Sequence, residues 1–167
     1  MKLIIAIICS LAVFSGCIKD RLEGADIKVG ESLPDFQVTM NDGTTVSDDD
    51  LRKGASVIMF FHTSCQDCQQ VLPHMQRIYD EYRGKGVCFC LISRAEVNTD
   101  IDTFWSEKGF KMPYSAQNDR GVYELFAKER IPRIYINEEG GTIRYIFTDD
   151  PRPVYDDIKA ALESVIR

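Results

Sequence analysis

Apolar residues recur along this chain with two distinct periods, and the alternation between them sets the order of the elements. Residues 56–61 and 87–92 are continuous apolar runs of strand length, the pattern of buried strands. Between them Val71, Leu72, Met75, Ile78 and Tyr82 recur at spacings of three and four, the stripe of an amphipathic helix ending around Arg83-Gly84. Pro73 lies inside that helix and predicts a kink. A strand, a helix and a strand in succession predict a parallel pair joined by a right-handed crossover. Upstream, residues 36–40 and 44–46 flank Asn41-Asp42-Gly43, a hairpin signal, and Ser47 can start a helical turn reaching residue 51. Downstream, Asn98 can cap a helix carrying Ile101, Phe104 and Trp105, and residues 121–128 read as another short helix. Residues 133–137 and 142–147 flank Glu138-Glu139-Gly140-Gly141, a second hairpin, and residues 154–166 form a helix with Ile158, Ala161, Leu162 and Val165 on one face. This order predicts an α/β fold: a central mixed β-sheet with helices on both faces and an N-terminal β-hairpin extension.

A length of 167 residues fits one domain, and 44% hydrophobic with 28% charged residues is the composition of a globular protein. The formal net charge is -6, and acids are scattered among bases with no basic stripe to meet phosphates. Nucleic acid is thereby excluded as the expected partner, leaving proteins and small molecules.

The first residues have a different character. Lys2 precedes the apolar run 3–14, which has the charge and length of a signal peptide and is too short to span a bilayer comfortably. Phe14-Ser15-Gly16-Cys17 resembles the lipobox at which bacterial lipoproteins are cleaved and acylated, with Phe14 departing from the usual aliphatic residue. The expected organisation is a signal peptide over 1–16, a tether lipidated on Cys17 over 17–28, and one domain over 29–167. Cleavage would remove Lys2 and no acid, leaving 19 basic against 26 acidic residues and a charge of -7. The expected location is the bacterial cell envelope, lipid-anchored and facing the periplasm or the outside.

Setting aside Cys9 in the leader and Cys17, four cysteines remain. Cys88 and Cys90 lie two apart in an apolar run, so as strand residues they point to one face, a geometry that does not favour bridging, and they read as inert core thiols. Cys65 and Cys68 stand where a strand meets a helix. A cysteine at a helix N-terminus is stabilised as thiolate by unpaired backbone N–H groups and the helix dipole, which makes Cys65 the candidate nucleophile. Cys68, one turn deeper on the same face, is the candidate resolving thiol.

These residues resemble the thioredoxin-like thiol:disulfide oxidoreductases of the bacterial envelope, near the branch that helps mature cytochromes c. The resemblance rests on Gly30-Glu31-Ser32-Leu33-Pro34-Asp35-Phe36, on Phe60-Phe61 before Cys65-Gln66-Asp67-Cys68, on Pro73 five residues beyond the second cysteine, and on Ile131-Pro132 opening the late hairpin. It implies a thioredoxin-like fold and a Cys-x-x-Cys dithiol/disulfide cycle. It also implies a cis Ile131-Pro132 peptide packed against the motif, with the Ile131 backbone free to pair with an extended substrate. The implied partners are disulfide-containing envelope proteins, with apocytochrome c among them, and a membrane thiol donor of electrons. No cofactor and no metal is expected.

Departures from the family bear on redox direction. Ser64 replaces a tryptophan, and Met59 stands where many relatives hold a buried polar or acidic residue. Asp67 beside Cys65 disfavours the thiolate, and a protonated His62 nearby favours it, so both are candidate tuning residues. The balance favours a reductase or isomerase over an oxidase. A copper or zinc module built on His62, Cys65, Cys68 and His74 is the rival from another class, weakened because Cys65 and His74 are about 13 Å apart along one helix at 1.5 Å per residue. A thiol peroxidase is a second rival. Such enzymes carry Thr or Ser three residues, and Pro seven residues, before the reactive cysteine, where this chain has His62 and Ile58. A purely structural lipoprotein is the third, opposed by the intact motif.

Overall fold

A computed structural model describes residues 26–166. The expected signal peptide, Cys9, Cys17 and the tether up to residue 25 lie outside the described residues.

The chain runs β1 (Gln37–Thr39), β2 (Thr45–Ser47), α1 (Asp48–Leu51), β3 (Ser56–Phe61), α2 (Gln66–Tyr82), β4 (Cys88–Ser93), α3 (Asn98–Lys108), β5 (Tyr114–Ser115), α4 (Gly121–Glu124), β6 (Arg133–Asn137), β7 (Ile143–Phe147) and α5 (Tyr155–Glu163). The main sheet has the order β5-β4-β3-β6-β7. β3 lies parallel to β4, from Ser56 beside Cys88 to Phe61 beside Ser93, and antiparallel to β6. Every residue of β3 is buried, as a central strand covered on both faces requires.

The alternation of Phe60 and Phe61 divides the core into two layers. Phe61 packs on Trp105 of α3 with ring centroids 5.0 Å apart, and Phe89 of β4 meets Tyr79 of α2 at 5.3 Å. Phe60 points to the other face, against Tyr123 of α4 at 5.3 Å and Phe126 at 5.0 Å. Helices therefore cover both faces, as a mixed α/β sheet demands. α5 is tied to α2 through Tyr82 Oη, which donates to Glu163 at 2.6 Å, and through Lys159 Nζ, 2.9 Å from Glu81.

The two expected hairpins are present. β1 and β2 form a small separate sheet around Gly43, whose φ of +83° favours glycine, and Ser47 caps α1 with Asp50 in a reciprocal box. Gly141 in the second turn has φ +83°, and a Cβ there would stand 2.7 Å from Arg52 Cγ.

Several boundaries differ from the periodic reading. β5 was not expected. Its two residues pair with Leu91 and Ile92 and are too few to show a period. α4 is four residues rather than eight. α5 is shorter than 154–166, and the Val154 amide that precedes it donates to Asp157. Asn98 is the first helical residue rather than the cap, because its side chain is engaged with Asp102 and with the Tyr114 hydroxyl. At the start of the described chain Ile27 is only 3% exposed and its amide donates to the Phe126 carbonyl, while Asp26 pairs with Arg133 at 2.6 Å. The folded body thus includes residues 26–28, whose charged composition alone resembles a tether.

Candidate active site

β3 delivers the chain to a tight turn, and α2 begins immediately after it. Cys65 is the N-cap of α2, with extended backbone at φ -79° and ψ 116°, and its Sγ accepts the Cys68 amide at 3.3 Å. The sulfur thus occupies the place of a capping oxygen and meets one of the helix's unpaired donors. Cys65 is half-buried and Cys68 fully buried, and both are free thiols. Burial pushes the Cys68 thiol far above the ordinary thiol range, and its hydrogen bond with Cys65 pushes the same way; the His62 backbone and the Arg94 charge act in the opposite sense.

The opposite wall is the loop before β6. Ile131-Pro132 is a cis peptide, and Cys65 Sγ lies 3.6 Å from the Ile131 carbonyl oxygen. Ile131 is 7% exposed and Pro132 is buried. Arg130, at φ 72°, turns the chain into this peptide, and its carbonyl accepts the Tyr123 hydroxyl at 2.7 Å. The motif and the Ile131-Pro132 loop, 66 residues apart, are therefore neighbours across one edge.

A carboxylate that the sequence reading did not single out lies beneath the turn. Glu96 is 5% exposed, its Oε2 accepts the Thr63 amide at 2.8 Å, and its Oε1 takes a short hydrogen bond from the Thr63 hydroxyl. His62 Nδ1 stands 3.6 Å from the same carboxylate and 3.2 Å from the Ser64 amide nitrogen. An acid just past the carboxyl end of a parallel strand was the available signal, since ligand crevices form at such ends in open α/β sheets. Asp67 behaves less simply than its sequence position suggests, because its Oδ1 lies 2.5 Å from Nη1 of Arg152, 85 residues away. No local pattern announces that pair.

His74 sits half-buried within α2, and among the described residues no group of three or more His, Cys, Asp and Glu side chains could hold a metal ion. The arrangement places a half-exposed sulfur on a helix end, a buried second sulfur one turn deeper, and a backbone carbonyl across from the first. That is equipment for thiol–disulfide exchange.

This fold and this dithiol are those of a thioredoxin-like thiol:disulfide oxidoreductase, and the chain is similar to proteins of the ResA type. The chain belongs to the AhpC/TSA family, which it matches over residues 29–147. It is 27% identical over 147 residues to the thiol-disulfide oxidoreductase ResA of Oceanobacillus iheyensis, covering 86% of this chain and 77% of that protein. The ResA of Bacillus thuringiensis is 23% identical over 146 residues, covering 85% and 83%. Among solved structures, a putative protein disulfide isomerase from Bacteroides thetaiotaomicron superposes with a TM-score of 0.73 at 20% identity, covering 82% of this chain and 91% of that one.

Proposed function

We propose that the protein reduces or isomerises disulfides in envelope proteins, with Cys65 as the attacking thiol and Cys68 as the resolving one. The observation that carries this reading is the asymmetry of the two sulfurs. Cys65 is half-exposed and bonded to a helix-end amide, while Cys68 is buried with its thiol held neutral. In the reducing direction the Cys65 thiolate attacks one sulfur of a partner disulfide, forming a mixed disulfide and expelling the partner's other sulfur as thiolate. Cys68 then gives up its proton and attacks Cys65 Sγ. The partner leaves as a dithiol, and a Cys65–Cys68 disulfide remains. A membrane thiol donor restores the dithiol with two electrons.

Ile131 and Pro132 form the wall on which an extended partner segment pairs, and His62 and Asp67 tune the attacking sulfur. The protein works from a lipid anchor on Cys17, reached through a tether leaving the domain before Asp26, and faces the periplasm or the outside. Apocytochrome c is a fitting substrate on the family likeness. No helix among the described residues is long and apolar enough to cross a membrane.

Trapping tests the roles. Cys68→Ala should accumulate mixed disulfides with partners, seen as heavier bands on non-reducing gels that vanish with reductant, and mass spectrometry of those bands identifies the substrate. Cys65→Ala should trap none, because Cys68 lacks both access and helix-end stabilisation. Trapping through Cys68 would reverse the assignment.

A further inference from the structure

The loop between β7 and α5 carries two opposite charges, and each reaches a different wall of the site. Asp149 Oδ1 stands 3.4 Å from Arg130 Nη1, next to the Ile131-Pro132 peptide. Arg152 Nη1 stands 2.5 Å from Asp67 Oδ1, inside the cysteine motif. Around them, the hydroxyl of Thr148, which precedes Asp149, donates to the Asp150 carbonyl at 3.2 Å, and Pro153, which follows Arg152, is buried. One short loop thus holds the two walls that flank Cys65, and the ion pair with Asp67 is the nearer of its two contacts.

The charged and titratable groups at this end of the sheet come from every element around Cys65. His62 belongs to the turn after β3, Asp67 and Cys68 to α2, Arg94 and Glu96 to the segment after β4, Arg130 to the loop before β6, and Asp149 and Arg152 to the loop after β7. Glu96 is occupied by Thr63, and Arg130 by Asp149. Arg152 is the cation paired with the acid inside the motif itself.

We propose that Arg152 is a positioning residue of the redox centre, which clasps the Asp67 carboxylate and holds it off the Cys65 sulfur. This rests on Cys65 being the attacking thiol. Without the clasp, the Asp67 carboxylate, two residues from Cys65, is free to turn toward the sulfur and oppose the thiolate. The pair is solvent-accessible, with side-chain exposures of 37% and 41%, so its effect is bounded by the modest energies of surface ion pairs. Such a pair shifts a protonation ratio by about two- to fivefold.

The test is a thiolate absorbance titration of the reduced full-length protein, read as the difference from the Cys65→Ala variant so that the other thiols and the tyrosines cancel; the buried Cys68 stays protonated through the range in which an exposed thiol titrates. Arg152→Gln should lower the thiolate-to-thiol ratio of Cys65 by about two- to fivefold, and Arg152→Lys should restore most of it by returning the charge. The positioning role predicts non-additivity: in an Asp67→Asn background, Arg152→Gln should change the logarithm of that ratio by less than half as much. High salt should shrink the effect. An equal change in both backgrounds would assign Arg152 a direct field on the sulfur and overturn the clasp, and no change in either would remove Arg152 from the site. A protein that traps partners through Cys65 but ignores Arg152 refutes this inference alone, whereas absence of trapping through Cys65 refutes the reading on which it rests.

Discussion

The described chain holds two pairs of cysteines, each with one half-buried and one fully buried thiol, and they differ in the element that carries them. Cys65 and Cys68 straddle the first turn of a helix, while Cys88 and Cys90 lie two apart in β4. In the helical pair, spacing by three stacks the residues on one face, and the helix end supplies an amide to Cys65 Sγ at 3.3 Å. In the strand pair, spacing by two aims both side chains to the same face, and the ladder consumes the backbone donors that a thiolate would need. Cys90 is fully buried and Cys88 partly so. Burial pushes both thiols upward, Cys90 beyond the ordinary range, with Cys88 adding to it. On the proposed roles, reactivity is a property of the element that carries the sulfur.

The sharpest way to break this contrast is turnover. Cys65→Ala should reduce disulfide reductase activity by on the order of 1000-fold or more, toward the uncatalysed exchange rate, because it removes the proposed nucleophile. Cys88→Ala should leave the rate within about twofold, as expected of a side chain remote from the reacting atoms. A comparable loss in Cys88→Ala would make the strand pair part of the redox cycle, for instance as a relay of electrons.

The effect of next size lies within the strand pair, because it reads packing instead of chemistry. Cys90→Ser places a hydroxyl in a fully buried apolar strand and should cost about 1–3 kcal/mol, seen as a lower urea midpoint at unchanged slope. Cys88→Ser, at the half-buried start of β4, should cost less than about 0.5 kcal/mol. Equal costs would show that Cys90 is not packed as a small hydrophobe.

The strand and helix that carry these pairs were also the parts most legible in the sequence. β3 and β4 are unbroken apolar runs because both of their faces are buried, and α2 has an undiluted period because it buries one complete face, so pattern follows burial directly. The Cys-x-x-Cys motif was visible as a junction between two such patterns, and Ile131-Pro132 through family likeness. β5 was hidden because Tyr114 and Ser115 become a strand only through the register of β4. Residues 26–28 were hidden because a charged segment can still anchor through one buried side chain, Ile27, and one ion pair, Asp26 with Arg133. Within the site, the partners of the motif escaped for a similar reason. Glu96 gains its meaning from burial against Thr63, and Arg152 from a contact spanning 85 residues, and neither burial nor a long-range contact is a local property of the chain.

The smallest effect is also the most specific to burial, and it appears at alkaline pH. The ordinary thiol value is 9.0, and burial raises Cys90 above it in the folded state, with Cys88 contributing in the same direction. The folded protein therefore retains the Cys90 proton after the unfolded chain has lost it. Stability falls with rising pH wherever the unfolded state binds fewer protons, so the contribution of Cys90 is fully present below about pH 9 and is progressively lost above it. Tyr82 and Tyr135, pushed up to about 12 mainly by burial, add a decline of the same sign beginning near their ordinary value of 10.0, but they are present in every cysteine variant and cancel in a comparison. Cys90→Ala should accordingly flatten the loss of unfolding free energy between about pH 9 and 11, even though its stability at neutral pH is lower. Cys88→Ala should flatten it less, because that thiol is half-exposed and its shift is smaller. The measurement is a series of urea denaturations across that range, comparing slopes against pH rather than absolute stabilities. A Cys90→Ala slope equal to that of the wild type would mean that solvent reaches the strand thiol, and the contrast between the two pairs would then rest on the helix end alone.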